Sequence, residues 1–468
     1  MNRRQLLLTA IVAGMVVPAF AATIVVDASK PLGTLRPLHG VNGGPLHLGE
    51  TLDLSPCWKE VGFPLARLHD CHWPAGDVVD VHSIFPNPEA DPSRPESYDF
   101  RRTDDYLAAL LATGSQVVFR LGESIEHSKR KYHVHPPRDA DRWAQVCVGI
   151  VRHYNDGWAG GFYYKIVYWE VWNEPENRPA MWTGDDADYF RLYAATARAI
   201  KQRFPQVKIG GPAVGNLGQL EGDRLRPSAF TQAFLAHVKQ HALPLDFFSW
   251  HTYTNDPREL AQKAREVRRL LDEYGLAHCE NHLNEWNYLP ENDWGGMLTP
   301  DARRRELWFA QIGGAPGAAF TASALMLLQD APLDVANYYS ADIQGFGLFN
   351  AYGVPLKCYS TFRAFRRLLD TPRRLTIEGM PGGLTAVAGT SADGRRIHVL
   401  LARQTGGDEP IELHVRKGWA GGSRAVVRRI DAAHDFDAEP PRDVPAGAAI
   451  PLLLTGPSVC LVELEPVP

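Results

Sequence analysis

Cysteine is sparse in this sequence. Its 468 residues hold six, Cys57, Cys71, Cys147, Cys279, Cys358 and Cys460, and no two form a Cys-x-x-Cys pair. A thiolate zinc site and a dense disulfide framework are therefore not expected. An excess of one charge is missing too. Lys+Arg 49 against Asp+Glu 54 leaves a formal −5, so nothing basic is on offer to a nucleic acid or an anionic membrane surface. No Gly-x-Gly-x-x-Gly follows the first strand-like run, which argues against a dinucleotide-binding sheet. Past the N-terminus no segment reads as a membrane helix, and no internal repeat or low-complexity tract stands out.

What the chain does have begins at its start. Arg3 and Arg4 precede an apolar run over residues 6–17, and Ala19-Phe20-Ala21 is a small-x-small cleavage site. Residues 1–21 are expected to be a signal peptide and the protein to be exported, either periplasmic or secreted. Export permits disulfides; Cys57 and Cys71 are the nearest pair in sequence, and buried free thiols fit equally well. Hydrophobic residues at 45% and charged residues at 22% suit a folded chain with a large core. The 12 Trp serve either that core or sugar stacking.

From residue 38 to 370 short apolar runs alternate with amphipathic segments. Strands are expected at 38–42, 65–69, 116–121, 166–172, 207–211, 246–251, 282–286 and 323–329. Between them apolar residues recur at helical spacing, as Tyr189, Tyr193, Ala197, Ile200 and Phe204 do. Eight such units predict an α/β fold, a (β/α)8 TIM barrel whose active site lies at the C-terminal ends of the strands. After Thr371-Pro372 the pattern becomes short strands punctuated by Gly and Pro, which predicts a C-terminal β-sandwich over 371–468. Residues 22–37 include a further strand, expected to join that sandwich.

Two carboxylates stand out at predicted strand ends. The fourth strand runs into Trp172-Asn173-Glu174-Pro175, and Pro175 cannot donate to a ladder, so Glu174 is placed at the rim. Apolar neighbours are expected to raise its pKa, as a general acid requires. Glu170 shares its face but sits deeper, and Glu176 lies past the proline, where solvation is expected. The seventh strand ends in Asn284-Glu285-Trp286. Carboxylates on strands four and seven can approach to about 5–5.5 Å, the spacing of a retaining glycosidase.

These segments resemble the clan A retaining glycoside hydrolases, and among them family 39, which includes β-xylosidases and α-L-iduronidases. The carriers are His39-Gly40-Val41-Asn42, Arg67-Leu68-His69, Trp172-Asn173-Glu174-Pro175, Trp250-His251-Thr252-Tyr253, Asn284-Glu285-Trp286 and the Gly345-Phe346-Gly347-Leu348-Phe349-Asn350 segment. The resemblance implies Glu174 as acid/base and Glu285 as nucleophile. It implies that Asn173 binds the sugar 2-hydroxyl, that Tyr253 orients Glu285 and that Arg67 keeps Glu285 ionised. His39 and His251 would contact substrate hydroxyls or the carboxylates. His69, in the cluster His69-Asp70-Cys71-His72-Trp73, is a further candidate for the sugar subsite, and Trp286 and Trp294 are candidate sugar platforms. The pattern departs from the xylosidase members at the eighth strand, where Gln329 and Asp330 are expected at the rim. A basic loop, Lys129 to His135, either meets an acidic sugar or is simply solvated.

The function expected is a retaining O-glycoside hydrolase acting on plant or bacterial oligo- or polysaccharides, β-xylosidase-like by default, with no metal or organic cofactor. The alternatives are another clan A glycosidase (an α-L-arabinofuranosidase, a uronic-acid glycosidase or an exopolysaccharide endohydrolase) and a non-catalytic carbohydrate-binding protein.

Overall fold

The computed structural model describes residues 21–73, 77–343 and 345–467; the expected signal segment lies, but for Ala21, outside them. Eight parallel strands close into a barrel: β1 (Gly40–Asn42), β2 (Leu65–Leu68), β3 (Gln116–Leu121), β4 (Tyr168–Val171), β5 (Lys208–Val214), β6 (Phe247–Thr254), β7 (Glu280–Tyr288) and β8 (Val335–Tyr338). Neighbours pair in chain order, and β8 returns to β1 through Asn337↔Gly40. Helices cover the outside while side chains fill the inside, so the strands are buried on both faces. Helix Pro257–Glu273 shows why its segment folds as it does. Leu260, Ala264, Val267 and Leu271 recur every three or four residues and are buried, and the Asp256 side chain accepts from Arg258 N at the first turn. Burying each such aliphatic side chain is worth about 1.5–3 kcal/mol.

The eighth strand is not where the sequence pattern suggests. Residues 323–329 fall in helix Ala315–Leu327 and the turn after it. That helix is buried nearly all round, and a segment apolar on every side carries neither the period of a strand nor that of a helix. The true β8 is four residues long. The longer stretch Ala302–Asp330 also corrects the expectation about membrane helices. By length and composition it is the one candidate span among the described residues, yet 72% of its apolar window is buried inside the protein.

Beyond Thr371 come β9 (Arg373–Glu378), β10 (Leu384–Thr390), β11 (Ile397–Arg403), β12 (Glu409–Arg416), β13 (Ser423–Ile430), β14 (Asp435–Ala438), β15 (Arg442–Val444), β16 (Ile450–Leu454) and β17 (Ser458–Pro466). With the N-terminal strand Ala22–Thr34 they form one ten-stranded, curled, sandwich-like sheet. The N-terminal strand lies inside it, antiparallel to β9 (Val25↔Glu378) and parallel to β12 (Val25↔His414). It buries Ile24 and Val26 among Leu375, Val399, Leu413 and Val462. β11 is buried on both faces. Val399 and Leu401 enter the sheet's own core, whereas Leu400 and Ala402 join the core of the barrel. Helices Ala315–Leu327 and Lys357–Leu368 pack between the two bodies. All six cysteines are free thiols, so Cys57 and Cys71 are not bridged.

Candidate active site

Around the closed barrel, two strands separate β4 from β7 on one side and four on the other. Their C-terminal ends therefore face each other across the mouth. Beneath the mouth sits Arg67, fully buried. Its Nε donates to Glu170 Oε2 at 2.7 Å, and its Nη1 donates to Asn42 Oδ1 and to Glu285 Oε2, both at 3.1 Å. Its Nη2 donates to Asn173 Oδ1 at 2.6 Å. The Asn284 amide donates to the other Glu170 oxygen. One cation thus serves two carboxylates in a network that leaves little of its fork unused.

Local irregularities aim the rim side chains. Between β6 and β7, Trp250 pairs with Leu283 but His251 pairs with Glu285. The extra residue, Asn284, makes a bulge that lets both Asn284 and Glu285 reach inward. After β4 the backbone enters the left-handed region at Trp172 (φ 70°) and Glu174 (φ 43°), a strained course for side-chain-bearing residues of the kind that gathers at functional sites. It turns Glu174 over the mouth. His251 Nδ1 lies 2.7 Å from Glu174 Oε1, and Asn177 Nδ2 donates to Glu174 Oε2 at 2.9 Å. The Tyr253 hydroxyl donates to Glu285 Oε1 at 2.5 Å, and His251 Nε2 lies 3.6 Å from Glu285 Oε2. One oxygen of each glutamate and a ring nitrogen of His251 all lie within 4.8 Å of one another. The space is tight. A Cβ placed on Gly215 would meet Glu174 Oε1 at 2.4 Å, so a larger residue there would push the Glu174 side chain from its place.

The electrostatics follow from these contacts. Burial opposes ionisation of Glu174, but the His251 hydrogen bond and charge outweigh it and hold its pKa below the usual glutamate value. Burial pushes Glu285 up, and the charge of Glu174 adds to the rise against the pull of His251 and Arg67. His251 is raised, because the charges of the two carboxylates overcome its burial. The directions differ from those expected: Glu174 is lowered where a raised value was expected, and Arg67, shared with Glu170, does not hold Glu285 low.

Among the described residues, two groups of three side chains have donor atoms close enough for a cation, Glu174–His251–Glu285 and Asp80–His82–Glu123. Arg67 stands against the first, and Arg120 donates to Asp80 at 2.5 Å in the second. In each, a guanidinium already supplies positive charge, which suits neither group to a metal ion.

The comparisons agree with this geometry. The model of "Glycosyl hydrolases family 39" matches residues 47–287, just over half of the chain. The chain belongs to that family. Among its family 39 relatives, a β-xylosidase from Geobacillus stearothermophilus is 26% identical over 351 residues, 67% of this chain and 63% of that protein. The chain thus spans under two thirds of that relative's length. A β-xylosidase from Caldicellulosiruptor saccharolyticus is 24% identical over 470 residues, covering 90% of this chain and 86% of the relative. The solved structure of a glucosidase from Croceicoccus marinus superposes with a TM-score of 0.78 at 28% identity, covering 96% of this chain and all of that one.

The family 39 cavity has a volume of about 880 Å³, and Asn173, Glu174, Glu285, His69, His251 and Tyr253 all line it. Arg67 lies directly beneath. Two expected residues do not reach it. His39 is packed against Phe63 and Phe365 with its pKa lowered to about 4 by burial; it points outward from β1, while Asn42 points in. Trp286 is fully buried against Tyr338 and Phe320 on the helix side of β7, because it follows the inward Glu285 by one residue. Trp294 does line the cavity. Gln329 and Asp330 are not at the rim. They precede β8, where Gln329 bonds the Arg36 backbone and Asp330 pairs with Arg374. Glu176 is not solvated: it lines the cavity, accepts from Gly215 N and Asn216 N, and is pushed up to about 7 by burial and by the charge of Glu174. In the basic loop, Lys131 is turned onto backbone carbonyls and His135 onto Thr183, and the loop's basic side chains are not part of the cavity wall.

Sequence reasoning missed Tyr339, whose hydroxyl donates at 3.0 Å to Asp70, from the cluster that begins at His69, in the cavity wall. Tyr339 follows β8 directly, so a correct eighth strand would have pointed to it.

Proposed function

We propose that this family 39 protein is a retaining glycosidase that releases sugar units from oligo- or polysaccharides, with β-xylosides as the first substrate class to test. The observation that carries this reading is the approach of one carboxylate oxygen of Glu174 to one of Glu285 to within 4.8 Å. A retaining pair needs about 5–5.5 Å, whereas an inverting pair stands about 6.5–9.5 Å apart to admit a water. Glu285 attacks the anomeric carbon while Glu174 protonates the departing oxygen. The glycosyl ester on Glu285 is then cleaved by a water that Glu174 deprotonates. The raised His251, 2.7 Å from Glu174, supplies the proton that makes Glu174 an acid before attack. The Tyr253 hydroxyl orients the nucleophile. Arg67 holds the carbonyl of Asn173 and leaves its amino group for the sugar 2-hydroxyl.

The 28% identity to a glucosidase favours β-glucosides as the second reading. A panel of nitrophenyl glycosides and polysaccharides separates these from arabinofuranosides, uronides and endo-acting cleavage. Mechanism is tested by following product stereochemistry: a first-formed product with the substrate's anomeric configuration supports the double displacement, and an inverted one rules it out. Export is part of the proposal, and N-terminal sequencing of the native protein from Ala22 tests it.

A further inference from the structure

The cavity has two unlike walls at its mouth. Asn177, Gly215 and Asn216 stand on the Glu174 side, and Trp294, Met297, Leu298 and Phe309 stand on the other. The apolar wall comes from the segment after β7 and the helix that follows it, Ala302–Gly313. Trp294 is 39% exposed and Leu298 72%. Trp294 is anchored by rings behind it, with Tyr253 at 5.1 Å and Phe346 at 6.0 Å between centroids.

A single aromatic ring would serve the apolar face of a sugar. Four apolar side chains along one cavity, one of them an aliphatic that is 72% exposed, go beyond that and mark a surface kept for a ligand. The site's chemistry says which part of a ligand comes here. The anomeric carbon must sit between Glu174 and Glu285, and below them Arg67 closes the barrel with no solvent contact. The leaving group therefore departs through the mouth, between the Asn177–Asn216 wall beside Glu174 and the apolar wall of Trp294 and Leu298.

We propose that this wall binds an apolar leaving group, so that the preferred substrates are glycosides of hydrophobic alcohols. The inference rests on the glycosidase reading and narrows its substrate class. Alkyl glycosides test it without confounding reactivity, since methyl, hexyl and octyl leaving groups have nearly the same basicity. With the sugar found active in the panel, kcat/KM should climb with chain length and be roughly tenfold higher for octyl than for methyl, less than full burial of seven methylenes would give. In Leu298→Asp and in Met297→Ser the octyl-to-methyl ratio should fall towards one. A ratio near one in the wild type, or a ratio that neither substitution moves, overturns the proposal. So does sedimentation of the wild type as a dimer that Leu298→Asp dissolves, for then a second copy covers the wall. If no glycoside at all is hydrolysed, the glycosidase reading fails separately. Calorimetric binding of octyl against methyl glycoside to the Glu285→Gln variant then decides the wall by itself.

Discussion

Arg67 donates to Glu170, Glu285, Asn42 and Asn173 from a position without solvent contact. Removing one partner of such a network strands the others as uncompensated buried charge. Arg67→Met should therefore lower stability by about 3–5 kcal/mol, read from urea unfolding, and adding Glu170→Gln should recover part of the loss. The proposed catalytic pair behaves differently, since burial already disfavours the ionised Glu285. Glu285→Gln should cut turnover roughly 10⁴-fold with sugar affinity kept, and Glu174→Ala should slow substrates with basic leaving groups most. Equal losses on all leaving groups would count against Glu174 as the acid. Glu176 gives a pH prediction. Its carboxyl ionises near 4.5 when unfolded but only near 7 in the fold. Between those values the unfolded chain has lost the proton that the native state keeps, so native stability falls as pH rises through this window and the penalty is constant above it. Glu176→Gln keeps the acceptor for Gly215 and Asn216 but has no proton to lose. The variant should exceed the wild type in stability at pH 7.5 by an amount on the order of 1 kcal/mol. By pH 4 thermal melts should show the gap closed.

At the scale of elements, seven barrel strands were legible because each is a short apolar run, and those at Gln116–Leu121, Tyr168–Val171 and Phe247–Thr254 lead to helices of clear period. Gln116–Leu121 matches its expected limits to the residue. The eighth was illegible because Ala315–Leu327 is apolar on every face and outcompetes a four-residue strand in any pattern. Within the site, the carriers of charge were readable from their strand ends. The misplaced residues, His39 and Trp286, fail on strand alternation, which already sets each one step out of phase with an inward neighbour. Glu176 was misjudged because only the folded chain brings Gly215 and Asn216 onto it. The N-terminal strand carries an element-scale prediction. It alone joins β9 to β12, and β16 hangs from β12. Deleting residues 22–34 should detach those two strands and expose the sheet's core, seen as increased dye binding and protease cleavage within 409–416 and 450–454.

Among the described residues, the barrel and the sheet each have a core, and the two cores meet along one seam. Leu400, Ala402, Val459 and Leu461 belong to the same apolar cluster as the barrel, while Val399, Leu401, Cys460 and Val462 belong to the sheet's own. Neighbouring residues of two strands are thus committed to different bodies. Calorimetry should show a single melting transition, since separating the bodies exposes that seam. Two resolved transitions would show that it contributes little.

The strand Ala22–Thr34 pairs with partners that begin at Arg373, beyond the entire barrel. As the polypeptide is made, this stretch has no partner strand until the chain reaches Glu378, about four fifths of its length. Assembly of the second domain is thereby tied to completion of the chain, and a truncated product is left with an unmated ribbon that marks it for proteolysis.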